Sequence, residues 1–281
     1  STDGTCTISV AQNKFTDASG NNNSASNDFT WIFDSTRPTM TISSSTVSSG
    51  DTSNDQVISL TFTSNETTSN FTINDITVSN GTLSDFSGSG TNYTAILTPS
   101  GDATYTISVA ENTFTDSAGN NNTASNNFTW TLDSTSPTMT ITSSTVSSGD
   151  TSNDATINVT FTSNESTTNF VEGDISVTNG SLSNFSGSGT TYTATFTPTT
   201  DGTCTINVKA TTFTDTSGNN NSASNNFSWT YDSTGPTMAI TSSTVTSGDT
   251  SNDTSISLTF TSNETTTNFV ESDITLVNGT L

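Results

Sequence analysis

Asp34-Ser-Thr-Arg-Pro-Thr-Met40 returns as Asp133-Ser-Thr-Ser-Pro-Thr-Met139 and again as Asp232-Ser-Thr-Gly-Pro-Thr-Met238, each time at a step of 99 residues. Trp31, Trp130 and Trp229 keep the same step, as do Phe62, Phe161 and Phe260 and the turns Asn80-Gly81, Asn179-Gly180 and Asn278-Gly279. A unit of about 100 residues is large enough for its own hydrophobic core, whereas solenoid repeats run to roughly 20–50 residues and need their neighbours to fold. Each repeat is therefore expected to be a domain. The proline of the Asp-Ser-Thr-x-Pro segment ends one strand and starts the next. Boundaries read there give complete domains at 35–133 and 134–232, the C-terminal part of a repeat at 1–34 and the N-terminal part of another at 233–281.

Only 27% of the residues are hydrophobic, which in a scattered arrangement would favour disorder, but they fall in short alternating clusters. Alternation marks half-buried strands, and Ser, Thr, Asn, Asp and Gly supply strand faces and turns between them. In the first complete unit the inward set reads Met40, Ile42 and Val47, then Ile58, Leu60 and Phe62, then Phe71, Ile76 and Val78. After the Asn80-Gly81 turn come Leu83 and Phe86, a hairpin turn at Ser87-Gly-Ser-Gly90, and a return through Tyr93, Ala95 and Leu97. Tyr105, Ile107 and Val109 and then Phe128, Trp130 and Leu132 close the unit. Seven or so short strands separated by turn signals suit a two-sheet sandwich better than a barrel, which the pattern leaves open, and the chain is read as all-β, with tandem immunoglobulin-like β-sandwiches arranged end to end. Cys6 and Cys204 occupy one repeat position, filled by Tyr105 in the middle copy, and read as core residues, with a cross-link between chains as the alternative.

Three basic residues, Lys14, Arg37 and Lys209, stand against 26 acidic ones with no histidine, a formal net charge of -23. Such a surface repels nucleic acid. No apolar run approaches the roughly 20 residues of a membrane-spanning helix. Without histidine or a specialised copy of the repeat, no catalytic constellation is visible, and the chain is read as a non-enzyme.

The acids have almost no cationic partners and are either solvated or bound to cations. In an immunoglobulin-like topology the linker entering a domain lies beside two of its inter-strand loops. That places Asp34 near Glu66 and Asp116, Asp133 near Glu165 and Asp215, and Asp232 near Glu264. Oxygen-only clusters of this kind suit calcium, which takes about 6–8 oxygen ligands in irregular geometry. The competing reading is that these acids cap turns and keep the surface soluble. Sequons recur at Asn22, Asn121 and Asn220 in a long polar loop, where a glycan costs no packing.

The phrases Phe114-Thr-Asp-Ser-Ala-Gly-Asn-Asn-Asn-Thr-Ala-Ser125, Trp130-Thr-Leu-Asp-Ser-Thr-Ser-Pro-Thr-Met139 and Phe170-Val-Glu-Gly-Asp-Ile-Ser-Val-Thr-Asn-Gly180 resemble the bacterial Ig-like repeats of very long surface proteins and adhesins. The resemblance implies a β-sandwich, extracellular or cell-surface display and, in some members, calcium at domain junctions. The function expected is a rigid spacer in an adhesin stalk or filament. Outward threonine rows such as Thr61 and Thr63 leave a glycan- or ice-binding module as the alternative. The expected partners are neighbouring repeats of the same chain. Either the chain is a window on a longer array, or residues 233–281 of one copy complete residues 1–34 of the next in a filament.

Overall fold

The computed structural model describes residues 2–281 and contains two complete sandwiches flanked by two partial ones. In the first complete repeat one sheet has the order Met40–Ser44, Ile58–Thr68, Gly81–Pro99. The facing sheet has the order Thr52–Ser53, Phe128–Leu132, Ala103–Val109, Ile76–Val78. Pairing is antiparallel except where Thr52–Ser53 runs parallel to Phe128–Leu132. The second repeat reproduces both sheets, from Met139–Ser143 to Phe227–Tyr231.

The alternation seen in sequence is the burial pattern. Ile58, Leu60 and Phe62 are buried while Ser59 and Thr63 face outward, as a period of two requires. All the residues read as inward in this repeat line its core, with Val78, Leu83 and Phe86 at the partly buried margin. Trp130 is fully buried and Trp229 is 2% exposed, whereas Trp31 is 42% exposed because the sheet that would face its hairpin is not part of the 281 residues. Cys204 is buried and Cys6 half-buried for the same reason.

Gly81–Pro99 is extended along its length yet doubles back on itself. The Ser87 and Thr94 hydroxyls meet at 3.1 Å, which a straight strand would hold some ~20 Å apart. Gly88 adopts φ 129°, and a Cβ there would strike the backbone of Asn92 and Tyr93, so only glycine lets the two arms close up. The hairpin is present, but it turns between Ser87 and Thr94, so that the expected Ser87–Gly90 stretch forms only the first half of the bend.

The sequence pattern did not mark Phe114 as core. It stands alone in the long connection between Ala103–Val109 and Phe128–Leu132, yet it is 1% exposed and meets Phe71 edge-on, ring centres 5.0 Å apart. Phe71 is the hub of this end of the core, touching Phe62, Phe86 and Tyr93 as well. Asn122 anchors the connection from within. Its amide nitrogen donates to the carbonyls of Ala110 (2.7 Å) and Thr123 (2.8 Å), and its oxygen accepts from the N–H groups of Thr113 (2.8 Å) and Phe114 (3.0 Å). A fully buried amide with every valence used makes an otherwise irregular loop a fixed part of the fold. Asn221 does the same in the second repeat.

Phe114→Ala is expected to destabilise the first complete repeat by about 3–5 kcal/mol through lost contacts and a cavity. Urea unfolding should then resolve an early transition for that repeat, with the second repeat unfolding at its original midpoint.

Candidate metal centre

At the entrance to each complete repeat the linker, a strand and a loop contribute one carboxylate each. In the first, oxygens of Asp34, Glu66 and Asp116 all lie within 4.8 Å of one another, and in the second those of Asp133, Glu165 and Asp215 do so. Two of the three expected clusters are therefore assembled as the linker argument requires. For the third, Asp232 and Glu264 are present, and Asn263 keeps its bonds to Thr237 and Glu264, but no third carboxylate is grouped with them among the described residues.

Local structure explains the convergence. Glu66 sits in the stretch of Ile58–Thr68 where pairing with the Gly81–Pro99 hairpin slips between Thr63 and Thr68, which turns its side chain toward the linker. The neighbouring Asn65 binds the linker directly, accepting the Thr39 N–H at 2.6 Å and donating to Glu66 Oε1 at 3.1 Å. Asn164 and Asn263 repeat both contacts toward Thr138 and Thr237. Asp116 is 3% exposed and closes its own loop, with Oδ1 accepting from the N–H groups of Ala118 and Asn120, both at 2.9 Å. Asn120 ties this loop to the linker by donating to the Asp34 carbonyl at 3.2 Å. In the second repeat Asn219 donates to the Asp133 carbonyl at 2.9 Å, and Ser217, which replaces Ala118, adds a bond to Asp133 Oδ2 at 2.7 Å.

No basic side chain joins either cluster. Among the described residues the one ion pair is Arg37–Glu111 at 3.9 Å, and it is exposed. Arg37 otherwise clamps the linker to the Asn120–Asn122 loop, donating to the carbonyls of Asn121 (2.8 Å) and Asn122 (2.7 Å). The other two copies have Ser136 and Gly235 at this position.

Burial, then the negative charge of Asp34, holds the Glu66 carboxyl above its usual range, and burial followed by Asp133 and Asp215 does the same to Glu165. At Asp116 burial also works upward, but the Asn120 and Ala118 donors outweigh it and the carboxyl falls below its usual value. Three like charges with no counter-charge, one already resisting ionisation, form an oxygen-rich site that can hold a metal ion.

The other recurring acids do not join these sites. Asp51 Oδ2 accepts the Ser48 N–H at 2.7 Å, Asp75 Oδ2 accepts the Thr72 N–H at 2.7 Å, and Asp55 takes the Ser53 hydroxyl at 2.8 Å. They cap turns.

A third acidic family escaped the sequence reading. Asp102 accepts from the Ser134 N–H (2.8 Å), the Ser134 hydroxyl (2.6 Å) and the Thr135 hydroxyl (2.9 Å) of the linker into the next repeat. Asp3 and Asp201 make the same set with Ser35–Thr36 and Ser233–Thr234. The signal was available in the 99-residue recurrence of these three aspartates. The hydroxyl and N–H donors hold the Asp201 carboxyl down at about 2.

The sequon residues Asn22, Asn121 and Asn220 are all exposed. Asn65 and Asn164 also head Asn-x-Thr and Asn-x-Ser sequences, but there the amide nitrogen that would carry a glycan is bonded to Glu66 or Glu165.

Residues 34–132 and 133–231 each match the family model described as bacterial Ig-like domain. No curated protein sequence is significantly similar to the chain. Among solved structures, similarity extends to invasin, titled a bacterial integrin-binding protein, at 16% identity and a TM-score of 0.41, covering 85% of this chain and 48% of that one. The Yersinia pseudotuberculosis adhesin InvE is similar at 15% identity and a TM-score of 0.25, over 69% of this chain and 58% of that one. The D0-D1 domain of intimin is similar at 13% identity and a TM-score of 0.20, over 67% of this chain and 96% of that one. The chain thus spans about half the length of the invasin structure. No helix among the described residues is long and apolar enough to cross a membrane.

The two kinds of carboxylate give opposite pH dependences. Glu66 and Glu165, raised in the folded state, bind more protons folded than unfolded. In cation-free buffer their effect is a loss of stability as pH rises from the ordinary carboxylate value to the raised one. Asp102 and Asp201, depressed in the folded state, contribute stability that is present above the ordinary value and lost as pH falls through the folded one. Glu165→Gln is expected to reduce the first slope by its own share in a series of thermal melts in chelator from about pH 4 to 7, leaving the share of Glu66 and the acid-side loss intact.

Proposed function

Because the chain belongs to the bacterial Ig-like domain family, carrying two complete copies in tandem, we propose that it is a structural segment of an extracellular adhesin stalk or filament, a non-catalytic spacer whose joints are stiffened by calcium. The observation that carries this reading is the meeting of the linker aspartate with two carboxylates of the repeat it enters. A cation bound there would tie the linker to a strand and a loop of the following sandwich and limit the swing between neighbours. Calcium fits the donor set better than zinc or copper, because the carboxylates come with carbonyl and amide oxygens and without histidine or cysteine. Two cores in series, each closed by its own residues, support a rod of links over a binding cleft. Its natural setting is the cell surface, with exposed Asn22, Asn121 and Asn220 as glycan acceptors where the host glycosylates secreted proteins.

The glycan- or ice-binding alternative gains no specific support. Aromatic platforms are absent from the outer faces of the complete repeats, since Trp130 and Trp229 are buried, and outward hydroxyls such as those of Thr104 and Thr131 satisfy each other at 2.9 Å.

Calcium is expected to raise the calorimetric unfolding midpoint, adding about 2.7 kcal/mol when present at 100 times its dissociation constant. Asp215→Asn should remove the part of this gain that belongs to the second repeat. A midpoint identical in calcium and in chelator ends the calcium reading. Electron microscopy of native material should show beads at ~35–45 Å intervals, the length of a sandwich built on strands of about ten residues.

A further inference from the structure

The two complete repeats also touch through direct hydrogen bonds beside the second carboxylate cluster. The Asn54 N–H of the first repeat donates to the Ser217 carbonyl of the second at 3.2 Å. Beside it Gly218 packs against the Asn54 side chain, with the position of a Cβ on Gly218 3.5 Å from the amide nitrogen. Asn54 follows directly on Thr52–Ser53, the short strand laid along Phe128–Leu132, so it stands at the end of the sandwich from which the chain leaves. Ser217 belongs to the loop that meets the entering linker.

Asp133 lies between these elements and is bonded to both. Its N–H donates to the Ser53 carbonyl of the first repeat at 3.1 Å, while its carbonyl and carboxylate accept from Asn219 and Ser217 of the second. Asp102 then holds the next two linker residues through three bonds from the first repeat. Linker, exit strand and incoming loop are all hydrogen-bonded to one another with no ion among the bonds.

We infer that successive repeats dock directly: residues 53–55 of one repeat form a seat for the Asp215–Asn219 loop of the next, and the Asp102 clasp on the linker holds that loop in place without a cation. The inference goes beyond the calcium reading and does not rest on it.

The second repeat shows the same seat without an incoming loop, and it differs in two ways. Asn54 is half-buried, whereas its counterpart Asn153 is exposed. Trp130 Nε1 donates to the Ser53 hydroxyl at 2.9 Å, whereas Trp229 Nε1 is buried without any partner, although Ser152 occupies the position of Ser53. The filled seat thus goes with a satisfied indole and the open one with an orphaned N–H. The occupant that fits the open seat is another copy of the loop carried by Asp215–Asn219, presented by a following repeat.

Amide hydrogen exchange of the whole 281-residue chain in chelator, followed residue by residue by NMR, tests this with an internal control. The Asn54 amide is expected to exchange at least tenfold more slowly than that of Asn153. Asp102→Asn, which keeps the shape but cannot accept from both hydroxyls, should reduce Asn54 protection severalfold while Leu60 in the core strand stays protected. Equal exchange at Asn54 and Asn153 would overturn direct docking, and undiminished Asn54 protection in Asp102→Asn would overturn the clasp. Protection that appears only when calcium is added would also overturn it, while leaving the calcium reading standing. An unfolding midpoint indifferent to calcium, together with Asn54 protection in chelator, would leave docking standing and the calcium reading refuted.

Discussion

A chain with 26 acidic and three basic side chains has to satisfy its carboxylates without ion pairs. Water serves where the acid is exposed, but an acid within the fold needs N–H or O–H donors, because a desolvated charge without partners is among the costliest things a protein can contain. The aspartates accordingly sit where backbone amides are free: Asp51 at the Ser48 turn, Asp75 at the end of a short helical turn whose first amide it accepts, Asp116 and Asp215 inside their loops. Each bond of this kind fixes a turn that the sparse apolar residues alone would leave loose. The acids are thus part of the framework as well as of the surface.

The same constraint explains why the entrances to the repeats differ from every other acidic position. Asp116 has its donors and Asp34 has the Thr36 N–H, but Glu66 has only the Asn65 amide as a side-chain donor and faces two other carboxylates. Donors run out there. Charge neutralisation must come from a proton, which the raised Glu66 and Glu165 favour, or from a cation. Protonation and cation binding therefore compete for one site, while the Asp102 and Asp201 clasps, already saturated with donors, stand apart from that competition.

Much of this was legible from sequence because a period of two and a period of 99 are both strong signals. The alternation of Ile58, Leu60 and Phe62 specifies a face whatever the partner strand is, and the recurring linker identified which loops would meet it. What escaped shares a physical feature: its partner is distant and its neighbours give no pattern. Phe114 is a single apolar residue among Asn, Thr and Asp, buried because Asn122 folds the loop inward over it. Asp102 acts on residues 32 and 33 positions away in the linker that leaves its own repeat, a contact set by the register that pairs Ala103 with Leu132. Asn54 reaches still farther, to Ser217, and its recognition uses the backbone, which carries no sequence signature at all.

The two complete repeats also reveal how independent their interiors are. Where the first has Tyr105, its hydroxyl bonded to the Gly101 carbonyl at 2.6 Å, the second has the much smaller Cys204. Facing it, Leu97 of the first is replaced by Phe196, whose ring stands edge-on to Trp229 at 4.8 Å. One position shrinks and its neighbour grows, so the space beside the tryptophan stays filled, as close packing demands. Gly180 permits this, since a Cβ there would collide with the Phe196 ring. Neither substitution reaches the ends of the sandwich, where Asn164, Glu165, Asp215 and Asn219 keep the contacts of Asn65, Glu66, Asp116 and Asn120. Each core can therefore be filled in its own way so long as the joint stays the same, which is the arrangement a chain of interchangeable links requires.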